Sequence, residues 1–99
     1  MTRPAGIALA LLVVVSCAFV PQRNTRLEEA RRAFREAAAD PEVARNAAHE
    51  LKQAAELLEE ASLAQDTLGD VAVVDHLAYL ATQRVAIARE SAKLRSRRP

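Results

Sequence analysis

Ala47, Leu51, Ala54, Leu58 and Ala61 recur at intervals of four, three, four and three. This spacing holds one narrow apolar face along an α-helix and suits packing against another helix in coiled-coil fashion. Val43, Ala44, Ala48 and Ala55 flank the seam. Alanine at such positions lets a neighbouring helix approach closely but supplies little apolar area, so contact is tight while the gain per residue is small. The rest of the composition agrees: alanine is the commonest residue, and the chain has two glycines, four prolines, two phenylalanines, one tyrosine and no tryptophan. Such a mixture favours helix and disfavours sheet.

The seam belongs to the second of three expected helices. Asn24 or Thr25 can open the first, with Thr25 and Glu28 in capping-box spacing, and Leu27, Ala30, Phe34, Ala37 and Ala38 then recur on one face. Asp40-Pro41 reads as a stop and a restart, because Asp40 can cap the next helix and Pro41 suits its first turn. Asp66-Thr67-Leu68-Gly69-Asp70 marks the turn into helix three, with Asp70 as its cap. Helix three is expected to run to about Arg95, with Val73 or Val74, Leu77, Leu80, Ala81, Ile87, Ala88 and Leu94 inward and Gln83, Arg89, Glu90 and Lys93 outward. Two long helices joined by a short turn are antiparallel neighbours. The expected fold is therefore all-α: a short first helix, packed near the open end of a long antiparallel, coiled-coil-like hairpin, spanning residues 25–97.

Ahead of this domain, Arg3, the apolar run Ile7 to Val15, then Ser16 and Cys17 read as a secretion signal with a basic start, a short apolar core and a small residue at the processing point. The run is shorter than the roughly 20 apolar residues that cross a bilayer. Val14-Val15-Ser16-Cys17 resembles the bacterial lipoprotein processing motif, which implies residues 1–16 as signal peptide, Cys17 as the lipid-modified first residue and residues 17–24 as a short tether. Cleavage after Ala18 and an uncleaved anchor are the alternatives. Cys17 is the sole cysteine, so no disulfide framework exists. Acyl chains contributing about 0.8 kcal/mol per methylene would hold the protein on a leaflet. By analogy, Ala18 rather than Asp after the cysteine favours the outer membrane, facing the periplasm.

Without Arg3 the chain carries as many basic as acidic residues, but unevenly. Nine acids lie between Asp40 and Asp75 against Arg45 and Lys52, whereas six basic residues follow from Arg84 against Glu90. In an antiparallel hairpin the basic end of helix three lies beside Asp40 and Glu42, and acids at helix N-termini suit the dipole. Arg95, Arg97 and Arg98 read either as a solvated helix end or as a basic tail touching anionic lipid headgroups or cell-wall polymer. Nucleic acid is a poor partner, since aromatic residues for stacking are missing and the basic cluster is short.

Catalytic and metal-binding groupings are not expected. His49 and His76 are the only histidines, and neither belongs to a cluster with the ligand count of a metal site. Asp75-His76 are adjacent on a helix and point in different directions, and no serine completes a triad. Glu56, Glu59 and Glu60 read as a solvated face, and Tyr79 as a rim residue with its hydroxyl in water. No cofactor is implied.

Two segments carry a family resemblance: Asp40-Pro41-Glu42-Val43-Ala44-Arg45 and Val74-Asp75-His76-Leu77-Ala78-Tyr79-Leu80-Ala81. They resemble a bacterial domain-of-unknown-function family, an alanine-rich helical module behind a lipoprotein signal and often upstream of an OmpA-like peptidoglycan-binding domain. The resemblance covers roughly residues 25 to 95. Many relatives carry Tyr-Ala-Pro where this chain has Asn46-Ala47-Ala48, and many continue into the wall-binding domain where this sequence stops at Pro99. The resemblance implies location and architecture, with no activity and no site residues beyond Cys17.

The leading expectation is a non-enzymatic envelope lipoprotein whose hairpin presents a surface to a protein partner or to itself. The alternative is a chaperone-like module that holds clients on the helix-one face around Leu27 and Phe34, which would require a large exposed apolar patch.

Overall fold

The computed structural model describes residues 24–67 and 69–98, and these form four helices and no strand. They are α1 (Thr25–Ala39), α2 (Pro41–Asn46), α3 (Ala48–Thr67) and α4 (Val71–Ser96). Signal peptide, Cys17 and most of the tether lie outside the described residues.

Each junction follows from local chemistry. Asn24 is the cap of α1: its extended backbone leaves the side-chain Oδ1 free to accept the Leu27 N–H at 3.0 Å. Asp40 serves two helices. Its own N–H donates to the Ala37 carbonyl and closes α1, while its Oδ1 accepts the Glu42 N–H at 3.0 Å and opens α2, with Pro41 in the first turn. At the far turn, Gly69 adopts φ +63°, and its N–H returns to the Ala64 carbonyl at 3.0 Å. A β-carbon there would meet nothing within 4 Å, so backbone conformation alone reserves the position for glycine. Asp70 then caps α4 by accepting the Ala72 N–H.

The expected second helix is interrupted. Ala47 leaves helical geometry at φ −134°, ψ 36°, although its N–H still donates to the Val43 carbonyl and its carbonyl still accepts from Leu51. The break falls at the Asn46-Ala47-Ala48 segment and makes position 48 the first residue of a new helix.

Three long segments pack up, down and up. The placement of α1 differs from expectation: it lies along the hairpin, starting beside the interhelical turn, where Leu27 and Ala30 share a core with Leu58, Ala61, Ala64, Val74, Ala78 and Ala81. A second core at the open end joins Ala37, Val43, Ala47, Leu51, Ala54, Val85, Ala88 and Ala92. Phe34, half-buried, packs against both and makes them continuous. All five residues of the α3 seam are buried, with Ala47, Ala54 and Ala61 fully so.

The inward face of α4 also differs from expectation. Val74, Ala78, Ala81, Val85, Ala88 and Ala92 are buried, whereas Val73, Ile87 and Leu94 are exposed and Leu77 and Leu80 are half-buried. The buried stripe keeps the four-three spacing, so alanines with Val74 and Val85 share the inside with Leu27, Leu51 and Leu58 of the facing helices, while Ile87 and Leu94 fall off the stripe. On α1, Ala38 stands about 100° round the helix from the buried Ala37 and is exposed.

Candidate functional site

Polar side chains join the helices at both ends of the bundle. At the turn end, Asn24 uses the second half of its amide: while Oδ1 caps α1, Nδ2 donates to Asp75 Oδ1 at 2.9 Å. Arg26 Nε lies 3.7 Å from the other Asp75 oxygen. These residues, with Gln65, Gly69 and Val74, line an open groove of about 480 Å³ between the start of α1 and the turn. Asn24 and Arg26 thus engage both oxygens of the Asp75 carboxylate.

At the open end, Arg95 grips Glu50 through two parallel contacts, Nη1 to Oε2 at 3.1 Å and Nη2 to Oε1 at 2.9 Å. Nη1 also donates to the Asn46 carbonyl at 2.6 Å, one of the carbonyls at the end of α2 that its own helix cannot satisfy. Glu50 is the one buried charged side chain among the described residues. The charged hydrogen bond from Arg95 holds its carboxyl below the usual range, against the opposing effect of burial, and raises Arg95 in return. Arg95 therefore clamps the end of α4 to the break between α2 and α3 and is not part of a free tail. Arg97 and Arg98 remain exposed.

Midway along the bundle, Arg31 donates to Glu28 on its own helix and to the Ser62 hydroxyl on α3. Beside it, Phe34, Arg35, Ala55, Leu58 and Glu59 border a shallow groove. The face around Leu27 and Phe34 is not an open client surface, because Leu27 is 1 % exposed and forms part of the core. His49, His76, Glu56, Glu59 and Glu60 all sit on exposed positions, and Asp75 turns to Asn24 rather than to His76. Among the described residues no three His, Cys, Asp or Glu side chains gather as metal ligands. Tyr79 is 55 % exposed at a rim shared with Arg26, Glu29 and Thr82. No described helix is long and apolar enough to cross a membrane.

The Glu50–Arg95 clamp had a signal in the sequence that a reading of charges as solvated passes over. Arg95 continues the four-three stripe of α4 beyond Ala92, and Glu50 falls three after Ala47 and four before Ala54. Opposite charges at the same end of two facing stripes mark a lock.

Residues 25–98 match the family described as domain of unknown function (DUF4398). The chain belongs to that family. The match runs from the first residue of α1 to the exposed arginines after α4, so both cores and the Glu50–Arg95 lock belong to the DUF4398 domain, while Asn24 stands one residue ahead of it. No curated protein and no solved structure matches the chain.

Proposed function

We propose that this chain is a non-enzymatic bacterial cell-envelope lipoprotein, held on a leaflet by lipid on Cys17, whose DUF4398 domain is a structural or protein-interaction module. The observation that carries the reading is how its polar chemistry is used. Asn24, Asp75, Glu50, Arg95, Arg31 and Ser62 each spend their hydrogen bonds on joining one helix to another. Catalysis needs a free acid, base or nucleophile held against a bound substrate, and side chains spent on helix-to-helix bonds do not supply one.

The lipoprotein-like motif Val14 to Cys17 supports the anchor, and Ala18 supports the outer membrane, with the domain in the periplasm. Asn24 is seven residue steps from Cys17, a reach of about 23 Å, so the turn end of the bundle stays near the leaflet. In this reading Arg97 and Arg98 are available to anionic headgroups or wall polymer, with attraction confined to about a Debye length. The test is the mass of the N-terminal peptide of the mature chain recovered from host membranes. A diacylglyceryl-modified Cys17 supports the anchor; a chain beginning after Ala18, or still at Met1, overturns it.

A further inference from the structure

Five of the six large apolar side chains most exposed among the described residues, Val71, Val73, Tyr79, Ile87 and Leu94, lie on α4. Three of them fall in a pattern. Val73, Leu80, Ile87 and Leu94 stand seven residues apart, three complete heptads, on the side of α4 turned away from its buried stripe. A straight helix rotates a seven-residue repeat by about 20° per heptad. Val73, Ile87 and Leu94 are 38 %, 42 % and 61 % exposed and Leu80 is half-buried, so the ridge is most open towards the C-terminal end of α4. Tyr79, Ala72 and Ala86 widen it on one flank. Isolated exposed leucines need no explanation, but an aliphatic residue at every seventh position over most of the longest helix makes one continuous apolar line, bordered by His76, Gln83 and Glu90.

The geometry points to a second copy of this chain, antiparallel, as the occupant of the α4 ridge. This deepens, and rests on, the reading of the domain as an interaction module. Antiparallel pairing sets Val73 opposite Leu94 and Leu80 opposite Ile87, twice each about the two-fold axis, with Gln83 opposite Arg84 beside that axis. It also brings the exposed Asp70 at the start of one α4 towards Arg97 at the end of the other. Parallel pairing would instead stack Glu90, Lys93, Arg97 and Arg98 each against its own copy. The helix dipoles add to the preference, because antiparallel neighbours set positive ends beside negative ones. With both copies anchored in one leaflet, the pair lies along the membrane: a tether of about 23 Å cannot lift one anchor over the roughly 39 Å length of the 26-residue α4.

Disulfide formation in the full chain, in host membranes, tests the arrangement. Gln83→Cys is expected to give a dimer whose linkage maps to two copies of the residue-83 peptide. Val73→Cys and Leu94→Cys are each expected to stay monomeric alone and to crosslink when co-expressed. Crosslinking of Val73→Cys with itself overturns the antiparallel pairing, and a Gln83→Cys chain that stays monomeric or links to another protein overturns the second copy. Ile87→Asp, at an exposed position, should abolish the Gln83→Cys dimer without loss of helicity; a dimer that persists overturns the ridge as its contact. The N-terminal peptide mass from the same sample reports Cys17 separately, so loss of the anchor and loss of the pair are read independently.

Discussion

Arg95 and Glu50, forty-five residues apart in sequence, meet through two parallel hydrogen bonds of 2.9 and 3.1 Å across the open end of the bundle. The same guanidinium holds the Asn46 carbonyl, so one side chain ties the last turn of α4 to both sides of the break at Ala47. Because Arg95 lowers the Glu50 carboxyl in the fold, the pair's contribution has a definite pH dependence. It is complete above the ordinary carboxylate value of the unfolded chain and is lost as pH falls through the lower, folded value. Denaturant unfolding of wild type and Glu50→Gln should therefore differ at neutral pH, with the variant weaker, and converge in acid. A gap between the two curves that stays constant with pH would show that the clamp does not depend on the carboxylate charge.

Asn24 holds α1 in two ways at once, capping its own helix and donating to Asp75 on α4. Asn24→Ala removes both, and loss of the cap alone costs about 0.5–2 kcal/mol. Asn24→Asp keeps an acceptor for the Leu27 N–H but sets a second carboxylate against Asp75. The aspartate variant is expected to fall below wild type at neutral pH despite being an excellent cap residue, and to recover as the carboxylates protonate. Thermal unfolding at two pH values distinguishes this from a capping role alone, in which Asn24→Asp would match wild type at neutral pH.

The break at Ala47 makes position 48 a helix start, where a missing N–H is least felt. Ala48→Pro should lower the unfolding midpoint only modestly, its cost being the shift of Ala47 from ψ 36° towards the extended backbone that precedes proline. Ala54→Pro, six residues further into the same helix, removes an interior hydrogen bond and costs about 3 kcal/mol or more. Circular dichroism melts of the two variants measure the contrast; equal losses would mean that the chain runs through Ala47 as continuous helix.

How much could be read beforehand depended on whether a signal was local. Asp40-Pro41 and Gly69-Asp70 announced the helix boundaries because each residue acts through its own backbone conformation or cap. The α3 seam was equally plain, since the exposed Lys52, Glu56, Glu59 and Glu60 on the opposite side fix its phase. On α4 the phase was ambiguous: alanines and larger aliphatics occur on both faces, and ranking by hydrophobicity places Ile87 and Leu94 inside where the fold places Val85 and Ala92. The facing helices decide which side is covered, and no window on α4 contains them. Glu50 was missed for a related reason, because its burial depends on a partner forty-five residues away. Cys17, the one site residue expected from a motif, lies outside the described residues.

The two faces of the hairpin should respond differently to the same charge. Leu51 is 8 % exposed on the α3 seam and Leu94 is 61 % exposed on the ridge. Leu51→Asp buries a carboxylate with no cation arranged to receive it, and the chain either protonates the group or opens the seam. Loss of most helicity at neutral pH, with partial recovery in acid, is the expected outcome. Leu94→Asp keeps its charge in water and sits among Lys93, Arg97 and Arg98, so helicity should be unchanged. Far-ultraviolet circular dichroism of both variants decides the assignment: a folded Leu51→Asp would move the seam off this face, and a melted Leu94→Asp would return the large aliphatics of α4 to the core.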